Sequence, residues 1–142
     1  MVKANPQADV ELLIARLLDP VRKLLRASGG FLPFAAYLDT ARRVRKFAAK
    51  AAADADPEEL AAFLEGRMRE FASAKKAIAT AIVSDTRAVP PGTRKRQDCV
   101  AFALDHRADY SVIVLLPYTL DDKGAATFGE LFAIDGGNRI FS

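Results

Sequence analysis

At 142 residues and a formal net charge of +3, the chain has the length of one ordinary domain, and its charge favours polyanions only if it gathers on one face. Hydrophobic residues make up 51% and charged residues 27%, which excludes a disordered chain, and the single Cys99 excludes an internal disulfide and an all-cysteine metal site. No apolar run approaches the roughly 20 residues that cross a bilayer and the first residues lack a signal-peptide core, so one soluble, cytoplasmic domain over 1–142 is expected, with 1–8 flexible.

The first element is an amphipathic helix. Val10, Leu13, Ile14, Leu17, Leu18, Val21, Leu24 and Leu25 recur at helical spacing, Asp9 is the expected N-cap, and Gly29-Gly30 ends the run. Pro20 predicts a kink or a restart inside it. Phe31–Leu38 and Arg43–Ala48 read as a hairpin, with Pro33 restricting the pairing at its start. Ala51–Asp56 leads into a second helix capped by Asp56 with Pro57 in its first turn, and Leu60, Phe63, Leu64, Met68 and Phe71 line one face. Three alternating strands follow at Ala77–Val89, Cys99–Arg107 and Tyr110–Tyr118. In the middle one Val100, Phe102 and Leu104 face a core, while Cys99, Ala101, Ala103 and Asp105 form a flat side that accepts a helix closely. Thr127–Ile134 is a further strand, followed by Asp135-Gly136-Gly137-Asn138. The fold class is therefore α+β: an antiparallel sheet of five or six strands carrying two main helices.

The phrases Gly30–Asp39, Ser84–Gly92, Asp105-His106-Arg107 and Leu116-Pro117-Tyr118 resemble those of a group of small bacterial proteins with no established activity, over roughly residues 24–141. The resemblance implies a bacterial, intracellular, stand-alone domain and transfers no catalytic residue. Members of that group often carry an Asp-Gly turn in the first hairpin, whereas Thr40-Ala41-Arg42 implies a longer or differently shaped turn here. The element order also resembles that of roadblock and profilin-like domains.

No catalytic constellation stands out. His106 follows Asp105, but adjacent strand residues point to opposite faces, so a structural role is expected. Ser84, Ser111 and Cys99 lack nucleophile-elbow glycines, and Cys99 reads as a small core residue. One histidine and one cysteine make no zinc set, and Gly29-Gly30 and Gly136-Gly137 make no phosphate loop, so neither metal nor cofactor is expected. Arg42, Arg43, Arg45 and Lys46, with Lys50, and Arg94, Lys95 and Arg96 form a candidate basic patch, with Phe47 beside it; edge-strand protection accounts for such charges better than nucleic-acid binding does. The first helix is apolar on more than one stripe, which suits self-association or a protein partner. A non-enzymatic interaction or regulatory module is the expected function. The alternative is a small-molecule or enzyme pocket near Arg87, His106, Tyr118 and Glu130.

Overall fold

Helix α1 (Pro6–Ser28) starts a turn earlier than Asp9 because Asn5 is the better cap: its side chain accepts from the Ala8 amide at 3.1 Å, and Pro6 takes the first position. The chain, seen in a computed structural model that describes residues 5–49 and 55–141, thus has Pro6–Ala8 of the expected flexible stretch in helix, while residues 1–4, Lys50 and most of Ala51–Asp56 lie outside the described residues. Pro20 neither ends nor restarts α1. Leu13, Leu17, Val21 and Leu25 are fully buried in line on both sides of it. Burial worth roughly 1.5–3 kcal/mol per side chain outweighs the hydrogen bond that proline forgoes. Gly29, at φ 74°, closes the helix by donating to Leu25 O at 2.8 Å.

Strands β1 (Phe34–Asp39) and β2 (Val44–Phe47) form the predicted hairpin. Its turn is the longer kind: the Arg42 amide donates to Asp39 O, the Asp39 amide donates to Arg43 O, and Arg42 sits at φ 61°, where glycine or asparagine is usual. Asp56 caps α2 (Pro57–Ser73) by accepting from the Glu58 amide at 3.0 Å. Strands β3 (Ala77–Ala88), β4 (Gln97–His106) and β5 (Tyr110–Leu120) then run as an antiparallel meander.

The expected last strand is two strands, β6 (Ala126–Phe128) and β7 (Phe132–Asp135), both paired with β5. Pro117 explains the break. Its carbonyl accepts from the Gly129 amide at 2.8 Å, so its missing N–H lies on the same edge and the ladder cannot continue past it. Among the described residues the sheet runs β2-β1-β3-β4-β5-β6, the expected antiparallel sheet with six strands on one path, and the short β7 adds a seventh beside β5.

Each face of the sheet carries one helix. Helix α1 covers Phe34, Ala36, Leu38, Ala79, Ala81, Val83, Val100, Phe102, Leu104, Val114 and Leu116 in the larger core. On the other face Leu64 and Met68 of α2 pack on Ala35, with Tyr37, Phe47, Phe71 and Ile82 around them and Ile140 closing the cluster. Tyr37 stacks on Phe71 with ring centroids 4.6 Å apart. Helix α2 therefore sits over β1 and β3 rather than over the small residues of β4. No described helix is long and apolar enough to cross a membrane.

Candidate functional site

His106 ends β4 on the α1 face and is wholly buried, while Asp105 stands on the α2 face, as the strand alternation requires. Its Nε2 lies 2.8 Å from Asp9 Oδ2, and its Nδ1 accepts from the Ala108 amide at 2.9 Å. A nitrogen that accepts a backbone N–H carries no proton, so Nε2 holds the ring proton and donates it to Asp9. Both ring nitrogens are thus committed within the fold. Arg42, thrown forward by its left-handed backbone, pairs with Asp9 Oδ1. Burial pushes the Asp9 carboxyl up, but the hydrogen bonds from His106 and Arg42 outweigh it and leave it below the usual carboxylate value. Asp9 was legible only as a cap. Its real role depends on a partner 97 positions away.

The other three residues of the expected pocket do not join His106. Arg87 and Tyr118 lie at the far end of the sheet, where Arg87 pairs with Asp98 and Cys99 with Pro117, and the seven steps along β4 from Cys99 to His106 span about 23 Å. Arg87 is exposed, with its Nε 3.6 Å from Asp98. Tyr118 faces α1 and donates to Asp85 Oδ1 at 2.7 Å; burial and that carboxylate push its phenol up. Burial likewise raises Asp85, although the Tyr118 hydroxyl pulls the other way. Glu130 borders a separate shallow recess with Pro90, Pro91, Gln97 and Leu131. Cys99 is buried, and burial raises its thiol.

The basic residues form two groups, not one patch. Lys46 lies across β1 level with Ala81 and Arg45 level with Thr80, whereas Ala88 pairs with Gln97 at the end of β3, so Arg42–Lys46 and Arg94–Arg96 belong to opposite halves of the sheet, at least about 23 Å apart along the strand. Arg43 and Arg45 both reach Asp39, at 3.5 and 3.0 Å. The Arg43 amide, and further the Arg45 guanidinium, hold the Asp39 carboxyl below its usual value. Phe47 packs under α2, with Arg67 over its ring at 5.4 Å.

Among the described residues, two surface features could hold a ligand or partner. The first is an apolar groove of about 570 Å³ beside β2, lined by Pro20, Leu24, Phe31, Pro33, Phe47 and Leu60, with Lys23 and Lys46 on its rim. It continues through Pro20 and Lys46 into a recess bordered by Arg16, Arg42 and Arg43. Among the described residues β2 pairs with β1 alone, so its other edge is open along this trough.

The second feature lies on the α2 face and was missed in the sequence. Because α2 sits over β1 and β3, the flat side of β4 is left partly uncovered. Ser84, Ala103, Asp105 and Ser111 floor a pocket of about 280 Å³, walled by Ala61 and Glu65 of α2 and by Gly136, Gly137 and Arg139. Asp105 is 7% exposed, and its Oδ1 has no hydrogen-bond partner. Burial raises its carboxyl and the nearby Glu65 charge adds to that, while the Ser111 hydroxyl and the charge and backbone of Arg139 pull it down in part. The signal was present as the run of small residues 101 and 103 before an acidic residue, but a helix placed directly over it hid the cavity. Compared with family models, with curated proteins and with solved structures, the chain matches none.

Proposed function

We propose that this domain is a non-enzymatic interaction module of the bacterial cytoplasm that binds an acidic, apolar segment of a partner protein as an added strand along β2. The trough beside β2 carries the reading. Its floor offers Leu24, Phe31 and Phe47 to apolar side chains, and Lys23, Lys46, Arg16 and Arg43 stand along its length. An extended segment there gains main-chain hydrogen bonds from the open edge and places alternate side chains into the groove. The charges supply selectivity: they repel another basic edge, including that of a second copy of this chain, and admit an acidic one.

The test is a peptide array of extended segments in which Asp or Glu alternates with Leu, Ile or Val, probed with the folded domain. Binding is expected for acidic-apolar members, weakened by salt and lost on Lys46→Glu and Leu24→Asp. Absence of any binding member, or binding that both substitutions leave intact, overturns the assignment. Concentration-dependent sedimentation of the free domain would instead point to self-association.

A further inference from the structure

We infer that the pocket between α2 and the β3–β4–β5 face binds a small amino acid or similar zwitterionic amine, its ammonium on Asp105 and its carboxylate on Arg139. This site lies on the α2 face, away from the β2 trough, and does not depend on the docking reading. Asp105 is more than nine-tenths buried, stands on the same face as Ala103 and Ser111, and leaves Oδ1 without a donor. A buried carboxylate oxygen without a donor is an uncompensated cost in the free protein, and a ligand that donates to it removes that cost. An ammonium does so with charge as well as hydrogen bonds. Desolvation and the neighbouring Glu65 oppose a negative charge at Asp105 and the Ser111 hydroxyl, the Arg139 guanidinium and the Arg139 backbone offset them only in part, so a further cation beside Asp105 is favourable.

The rest of the pocket suits the other end of such a molecule. Glu65 is already held by Arg69 at 3.0 Å, whereas its contact with Arg139 is loose, at 3.9 Å. The Arg139 side chain, mostly exposed and near both Glu65 and Asp105, borders the pocket where its planar fork can take an incoming carboxylate. Ser84 contributes a hydroxyl to the floor, and Ile82 and Ile113 an apolar patch for a short side chain. The volume, about 280 Å³, falls just under the range of drug-sized sites and fits a molecule of few heavy atoms.

Thermal unfolding of the full chain at neutral pH, with each natural L-amino acid at about 10 mM, tests this directly. At least one free amino acid is expected to raise Tm by about 2 °C or more, while its N-acetyl derivative, which lacks the ammonium, does not. Asp105→Asn, checked for folding by circular dichroism, abolishes the shift; Arg139→Gln reduces it for the amino acid but not for the matching amine without a carboxylate. Should Asp105→Asn fail to fold, Ala103→Leu fills the pocket while keeping every polar group, and it too must abolish the shift. The proposal is overturned if no free amino acid shifts the wild-type Tm, if N-acetylation makes no difference, or if a folded Asp105→Asn or Ala103→Leu variant still responds.

Discussion

His106 and Asp9 show how far a single residue's role depends on what the fold brings to it. With His106 removed, the Asp9 carboxylate keeps Arg42 but loses a hydrogen bond in the interior, so His106→Ala is expected to destabilise the domain by about 2–3 kcal/mol, within the range for a hydrogen bond to a charged group. Replacing both residues with leucine leaves no buried charge and costs less than the two single changes summed, which urea denaturation of the four proteins resolves. Acid acts on the same contact. Asp9 has a lower value in the fold than its ordinary 3.8, so its contribution is complete above about that pH and is lost as pH falls through the lower folded value. The wild-type domain should therefore lose more stability than the double-leucine variant between pH 5 and pH 2, in roughly the window that this shift defines.

At the level of elements, the helices, the first hairpin and the β3–β4–β5 meander were legible because periodicity, caps and turn residues act locally. The misreadings share a cause. The first cap went to Asp9 rather than Asn5 because both are good cap residues, and only the burial of Asp9 against His106 separates them. The split of the last strand follows from Pro117 on the neighbouring strand, and the supposed single basic patch failed because strand pairing carries its two groups to opposite halves of the sheet. The pocket depended on where α2 comes to rest, which no local pattern encodes. One connection does have a local signature. A Cβ on Gly136 would sit 2.1 Å from Ser111 Oγ and 2.7 Å from the Val112 amide nitrogen, so the chain passes β5 too closely for any side chain. Gly136→Ala is expected to cost about 1–3 kcal/mol and to speed amide hydrogen exchange in β7 more than in β3, read by exchange mass spectrometry.

Over the whole molecule, two cores on opposite faces share one sheet, and β3 and β4 lie at its middle with partners on both sides. Cys99, buried near the start of β4, reports on that centre. Burial raises its thiol and removes it from solvent, so a thiol reagent at neutral pH is expected to label it only as fast as the centre opens, at least about 100-fold more slowly than in urea-unfolded protein. Labelling at the unfolded rate would mean that β4 is not the protected centre. The tie formed by Asp9, Arg42 and His106 joins the start of α1, the turn between β1 and β2 and the end of β4, three places that adjoin only in the finished fold. Since the loss of His106 leaves Asp9 on Arg42 alone and the loss of Asp9 leaves the buried His106 Nε2 without its acceptor, a lineage leaves this arrangement only by a costly intermediate. Across descendants of this sequence the two positions should therefore change as a pair or stay together, and a stabilising substitution elsewhere should come before their joint replacement.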